Sequence, residues 1–268
     1  MKLGLIIYLG VTTVSFSADL KVPPLSLAVF GGGQRPIPFT IKNVTQQTID
    51  RELTVQLLQA TATTIAPIQT VERWKRLVLL PQQSVNDEAT IEVPSVRAAT
   101  RFLFRVAEGR SVIGDVEVWA YPSNLLSELT RMLGGESVML CETPEEWKTL
   151  LRMAGIPFRE AAPDRLIFAR SKLAVVGPLP DEEMLKIKNA LRKPNAAQGA
   201  IILKNPPTAE GAVLPSYYLS NFGGKKAVFA MPQTLTNLST DPWAQLRFLQ
   251  MAKLATASED LLTPEFSH

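Results

Sequence analysis

Cysteine and histidine are the scarcest reactive residues in this chain of 268, at one each. A single thiol excludes an intrachain disulfide framework and any multi-cysteine zinc site. The one imidazole belongs to the final residue, His268, which removes most histidine-based catalysis and any histidine-rich metal cluster. Charge of one sign is also missing, since 28 Lys and Arg face 25 Asp and Glu. The densest basic runs are short, Arg73-Trp74-Lys75-Arg76 and Lys225-Lys226. A nucleic-acid binder carries a clustered basic face, so no nucleic-acid partner is expected. Glycine and proline, at 15 and 20 residues, are too few for a collagenous chain.

What is present is a foldable composition. A hydrophobic fraction of 46% against 20% charged residues supports packed cores and excludes a disordered chain. The length suits one large domain or two ordinary ones.

Residues 1–17 read as a signal peptide. Met1-Lys2 is a short positive region, Leu3 to Val14 is apolar, and Ser15-Phe16-Ser17 puts small residues at both cleavage-pocket positions. The apolar run is shorter than the ~20 residues that span a bilayer, and no cysteine follows it for lipid attachment. No later stretch reaches ~18 apolar residues, so the mature chain is expected to lack a transmembrane anchor. The expected location is periplasmic or extracellular.

Two textures follow. Residues 18–122 read as an all-β sandwich. Pro36 to Asn43, Leu53 to Leu57 and Ala89 to Val93 alternate apolar and polar residues, and Arg101 to Val106 and Val112 to Trp119 are further strands. Glu108-Gly109-Arg110 suits a hairpin turn. After a linker at 123–128, residues 129–256 alternate strands with helices, which implies βαβ units around a mostly parallel sheet covered on both faces. In Thr143-Pro144-Glu145-Glu146 the spacing predicts a Thr143 N-cap with Pro144 as the first helical residue. Trp147, Leu150, Leu151 and Ala154 form one apolar face, and Gly155 sits where the helix should stop. Asp181-Glu182-Glu183 opens a second helix, and Asp241-Pro242 a last one. Residues 257–268 form a tail.

The second texture carries a resemblance. Ala174-Val175-Val176-Gly177-Pro178-Leu179-Pro180-Asp181-Glu182-Glu183 and Gln198 to Leu203 resemble class I glutamine amidotransferase-like, flavodoxin-like domains. Gly223 to Ala230, followed by Ser239-Thr240-Asp241-Pro242-Trp243-Ala244-Gln245, is similar to the end of amidotransferase-like accessory domains in exported bacterial proteins, often linked to carbohydrate metabolism. The first texture resembles the immunoglobulin-like or fibronectin-like sandwiches that precede such modules. The fold class so implied is two domains, an N-terminal immunoglobulin-like β-sandwich and a C-terminal three-layer α/β domain. Active members of the family carry a nucleophilic cysteine on a strand-to-helix turn and a histidine two residues before a glutamate. Neither stands at a matching place here: the strand ends run into Gly177-Pro178 and Lys204-Asn205, and His268 has no residue after it. The resemblance therefore implies no amidotransferase catalysis, no cofactor and no metal.

Candidate ligand-binding residues gather at the expected carboxyl ends of the strands, where open α/β sheets take ligands. They are Cys141, Glu142, Gly177, Asn205, Tyr217 and Tyr218. Cys141 beside a helix N-terminus reads either as an activated thiol or as a small buried hydrophobe, and the lack of a base favours the second. The loop from Asn205 to Asn221, with Tyr217-Tyr218, could lid a pocket. Glu142 with Asp181 could act as a carboxylate pair, although acidic residues in a helix's first turn also suit its dipole. Gly31-Gly32-Gly33 reads as a flexible loop because no helix follows it. Trp119, Tyr121 and Trp74 read as packing residues before a sugar platform. Asn43-Val44-Thr45 and Asn237-Leu238-Ser239 match the glycosylation sequon, which matters only in a eukaryotic secretory pathway. The favoured reading is an exported, non-catalytic binding or assembly module, with carbohydrate or an envelope protein as partner. The alternative is a hydrolase using carboxylates at the strand ends.

Overall fold

The structure, a computed structural model, describes residues 19–168, 171–204, 217–222 and 224–257. The signal peptide, Asn205 and nearly all of the C-terminal tail, all expected from sequence, lie outside the described residues.

Eight strands come first: β1 (Leu20–Lys21), β2 (Ser26–Phe30), β3 (Gly33–Asn43), β4 (Ile49–Ala60), β5 (Ile65–Leu79), β6 (Ser84–Val93), β7 (Thr100–Glu108) and β8 (Ser111–Tyr121). They build a three-stranded sheet, β1-β3-β6, and a five-stranded one, β2-β8-β7-β4-β5. Then come α1 (Ser127–Leu133), β9 (Val138–Cys141), α2 (Glu145–Met153), β10 (Phe158–Glu160), β11 (Leu173–Val176), α3 (Asp181–Leu191), β12 (Gly199–Leu203), β13 (Tyr217–Phe222), β14 (Lys225–Ala230) and α4 (Pro242–Thr256). Their strands form one six-stranded sheet, β10-β9-β11-β12-β14-β13.

This corrects the expected fold class. The strands form three sheets, and the third is mixed, with β13 antiparallel to β14. A distinct immunoglobulin-like sandwich followed by a separate parallel α/β domain is not what forms. The described residues fall into two compact units that interleave along the chain. The first gathers the residues up to Leu27 with Gln34–Glu92 and Arg101–Val118. The second takes Ala28–Gly33, Val93–Thr100 and the residues from Trp119 onward. The physical reason is that period-two patterning identifies strands and their buried faces but says nothing about partners, which depend on where the chain crosses between sheets.

One such crossing is Gly31-Gly32, between β2 in one sheet and β3 in another. A Cβ on Gly31 would lie 2.6 Å from the Pro94 carbonyl oxygen, and Gly32 has φ +86° with Ser95 Oγ only 2.8 Å from its would-be Cβ. Gly31 N–H donates to the Tyr121 carbonyl and Gly32 N–H to the Val93 carbonyl, both at 2.9 Å. The expected flexible loop is thus a packed, hydrogen-bonded crossing that a side chain would wedge apart.

Within the first unit the alternation of β3 buries Ile37, Phe39 and Ile41 and leaves Pro36, Pro38 and Lys42 exposed. Leu53, Val55 and Leu57 of β4 and Phe102, Phe104 and Val106 of β7 are buried too, with the Phe39 and Phe104 rings 5.3 Å apart. At the end of β3 the alternation buries a polar residue, Asn43, completely. Its Nδ2 donates to the carbonyls of Gln47 (2.7 Å), Leu80 (2.9 Å) and Leu79 (3.3 Å), and its Oδ1 accepts from the Thr45 N–H and hydroxyl, both at 2.8 Å. This one amide ties together the end of β3, the turn after it and the end of β5.

In the second unit the central strands β9, β11 and β12 are buried at every position. Alternate residues feed two cores. Val138, Leu140, Val175 and Ile201 pack with α1, α2 and α4, whereas Met139, Cys141, Ala174 and Val176 pack with α3. Asp241 caps α4, accepting from the Trp243 N–H at 2.8 Å, with Pro242 first in the helix.

Asn43→Ala removes the partner of the Gln47, Leu79 and Leu80 carbonyls and of the Thr45 donors. We expect a loss on the order of 3 kcal/mol, read as a lower urea midpoint, and a smaller loss for Asn43→Asp, which keeps the acceptor alone.

Candidate functional site

Strand β9 has β10 on one side and β11 on the other, all parallel. The chain therefore leaves β9 in one direction and later returns on the other, and in an open sheet this reversal marks the place where a crevice opens at the carboxyl ends. Cys141, Glu142 and Gly177 do meet there. Gly177 N–H donates to the Cys141 carbonyl at 2.8 Å. A Cβ on Gly177 would lie 1.8 Å from the Glu142 carbonyl oxygen, so glycine is obligatory at this position. Glu142 itself takes φ +51°. The loops after β9 and β11 thus touch backbone to backbone.

Cys141 sits just beneath that contact, fully buried in the α3-side core. Burial pushes its thiol up to about 12, and the carboxylates of Glu142, Glu183 and Asp164 add to the effect. Burial and the neighbouring carboxylates both disfavour the thiolate, the form that attacks electrophiles and binds metals. The helix expected to activate it does not do so. Helix α2 begins at Glu145 with Pro144 as N-cap and no side-chain capping bond. The predicted Thr143 cap lies one residue outside the helix, and its buried Oγ1 has no hydrogen-bond partner.

The two carboxylates expected to pair stand in different settings. Asp181 is 89% exposed and pairs with Lys204 at 3.0 Å, Glu182 pairs with Lys186 at 3.4 Å, and Glu142 is exposed. Among the described residues no group of three or more His, Cys, Asp or Glu is placed to hold a metal ion. A small cavity of about 260 Å³ beside Glu142 and Thr143 is lined also by Lys148 and Glu160. Lys148 is held charged there by hydrogen bonds to Glu160 (2.9 Å) and Glu145 (3.0 Å), which raise its pKa.

Tyr217 and Tyr218 are adjacent in sequence and opposite in space. Tyr217 packs against the core shared by α1, α2 and α4, and its hydroxyl accepts from Gln250 Nε2 at 3.1 Å. Tyr218 points to the other face, 52% exposed, with its ring stacked on Phe229 at 4.8 Å and 4°. Strand β13 lies four strands from β9, roughly 19 Å at the usual spacing. The tyrosines therefore do not complete a pocket with Cys141.

A larger cavity, about 730 Å³, opens at the amino ends of the parallel strands, lined by Ser137, Phe158, Arg159, Ser171, Gln198 and Lys225 among others. Lys225 is committed to structure. Its Nζ donates to the carbonyls of Lys193 (2.5 Å), Ala196 (3.2 Å) and Pro194 (3.3 Å) at the end of α3, and burial lowers its pKa. These lining residues come from several separate segments with no shared motif, so no sequence signal pointed to them.

No family model matches the chain, and no curated protein matches it. Solved structures give partial likenesses. The alkylpurine DNA glycosylase AlkC of Pseudomonas fluorescens, bound to DNA containing an abasic site analogue, has TM-score 0.31 and 12% identity, over 38% of this chain and 30% of that one. The GH3 β-glucosidase of Bifidobacterium adolescentis has TM-score 0.27 and 10% identity, over 38% and 17%. The sporulation control protein Spo0M of Bacillus subtilis has TM-score 0.27 and 10% identity, over 45% and 60%. This chain spans less than a third of the glycosylase and less than a fifth of that glucosidase. Likeness at this level carries no argument about fold or function.

Three measurements follow from the strand-end geometry. Iodoacetamide at pH 8 should leave Cys141 unmodified in the native chain and alkylate it on unfolding in urea. Because the folded thiol keeps its proton to a higher pH than the unfolded one, stability should fall as pH rises from about 9 toward 12. Gly177→Ala should destabilise by about 3 kcal/mol or more, seen as a lowered melting temperature.

Proposed function

We propose that this chain is an exported, non-catalytic binding or assembly module acting on carbohydrate or on an envelope protein. The observation that carries this reading is the burial of Cys141: the chain's one thiol lies beneath the Gly177–Glu142 backbone contact. Main chain takes the space between the β9 and β11 ends, and the small cavity beside it, lined by Glu142, Thr143, Lys148 and Glu160, holds no cysteine or histidine. Asp181 is bound to Lys204 and Glu142 is solvated, so the separation of ~5–10 Å that paired carboxylates need for glycoside cleavage has no support. No helix among the described residues is long and apolar enough to cross a membrane.

The test has two arms. Expressed in a bacterial host with its leader, the chain should appear in the periplasm or medium with Ala18 as its first residue by mass spectrometry. The purified mature chain should then show saturable thermal stabilisation by a glycan or an envelope protein, with no product formed from nitrophenyl glycosides or esters. Turnover that Glu142→Gln or Asp181→Asn abolishes would replace this reading with the hydrolase one.

A further inference from the structure

The outer edge of the six-stranded sheet carries one exposed ring, Tyr218, set against the buried rings of Phe222 and Phe229, and near those rings are two cations with no acidic partner among the described residues. In β13, Tyr218 and Phe222 face the α3 side, where Tyr218 lies flat against Phe229 and Phe222 lies 6.2 Å from the same ring. From α3, Lys188 Nζ reaches within 5.7 Å of the Phe229 ring and the Arg192 guanidinium within 5.9 Å of the Phe222 ring. Exposed Leu185 lies one turn before Lys188 on the same helix. Arg192's hydrogen-bond partner is the neutral Asn189, at 3.4 Å. The helix's own acids, Asp181, Glu182 and Glu183, stand in its first turn, and Asp181 and Glu182 are paired with Lys204 and Lys186. The basic half of α3 therefore lies along the aromatic half of the edge.

A ring backed by another ring is held in one orientation, so its free face is preorganised for a flat partner. The CH face of a pyranose is such a partner, because it loses little polar hydration when it covers an aromatic ring. A guanidinium or ammonium alongside selects a carboxylate on that sugar. An acidic peptide would use the cations but has no need of the flat ring. A single-stranded nucleic acid would use the ring but needs a longer run of cations along its backbone.

We propose that Tyr218, stacked on Phe229 on the face of the sheet where Lys188 reaches Phe229 and Arg192 reaches Phe222, is a binding platform for a carboxylate-bearing glycan, with a sugar ring on Tyr218 and carboxylates of the glycan toward the two cations. This deepens the binding-module reading and rests on it.

The test is calorimetric titration of the mature chain with tetragalacturonate, cellotetraose, polyglutamate and oligo-dT. Tetragalacturonate should bind at least about tenfold tighter than each of the others at low salt. Tyr218→Phe should bind within about twofold of the native chain, while Tyr218→Ala should lose about tenfold. The Lys188→Gln, Arg192→Gln double variant should lose a similar factor and most of the salt dependence. Because these side chains are at the surface, melting temperatures should stay near the native value. If Tyr218→Ala melts early, the Tyr218→Phe and double-variant titrations decide. The proposal is overturned by no binding of tetragalacturonate, by equal binding of polyglutamate or oligo-dT, or by indifference to Tyr218→Ala. Tetragalacturonate binding that survives Tyr218→Ala sinks the platform and leaves the binding module standing. Release of new reducing ends from tetragalacturonate would overturn both.

Discussion

The second unit depends on the contact at Gly177. Strands β9 and β11 pair in parallel, and their loops leave the sheet so close together that the Glu142 carbonyl occupies the volume of any side chain at 177. Several observations follow from that single steric fact. Glu142 is forced to a positive φ. Cys141, covered from above, is left in an apolar layer with Met139, Ala174, Val176 and Met184, and its thiol loses any reason to ionise. The space between the β9 and β11 ends is consequently filled by backbone, which leaves a small cavity beside Glu142 and Lys148, the larger one at the amino ends, and the exposed ring on β13.

Electrostatics divides the molecule in a related way. On the five-stranded sheet the charges meet across neighbouring strands: Arg105 grips Asp115 through two hydrogen bonds, at 2.9 and 3.1 Å, and Arg101 reaches Glu117 at 2.6 Å. Such partly exposed pairs add little stability, but they leave the sheet's outer face polar and locally neutral. In the second unit Lys225 is consumed by helix carbonyls, whereas Lys188 and Arg192 lie against aromatic rings instead of carboxylates. Local neutrality on one sheet contrasts with Lys188 and Arg192 at the other sheet's edge, which have no acidic partner among the described residues.

Much of the local structure was legible in the sequence. The alternation of Ile37, Phe39 and Ile41, the face of Trp147, Leu150 and Leu151, and the Asp241-Pro242 helix start each follow from a period or a capping preference acting within a few residues. What was not legible is non-local. Nothing in the strand patterns says that β2 and β3 belong to different sheets, so Gly31-Gly32 read as slack chain when it is a tight crossing. Thr143 and Pro144 fit two capping frames one residue apart, and packing selected the one that leaves Thr143 outside. Of the candidate site residues, Cys141, Glu142 and Gly177 do meet, because a strand-end rule locates them. Tyr217 and Tyr218 separate, because strand alternation sends neighbours to opposite faces, and the amino-end cavity has no local signature at all.

The burial of Asn43 bears on which chemical modification this fold can tolerate. Its side chain, with the Thr45 hydroxyl bonded to it, is the acceptor of the Asn43-Val44-Thr45 sequon. A glycan attached there would occupy the Nδ2 that must donate to Gln47, Leu79 and Leu80, and would place a bulky polar group in a site with no exposed surface. Native packing at the end of β3 thus requires this amide unmodified, a chemical constraint carried by one side chain.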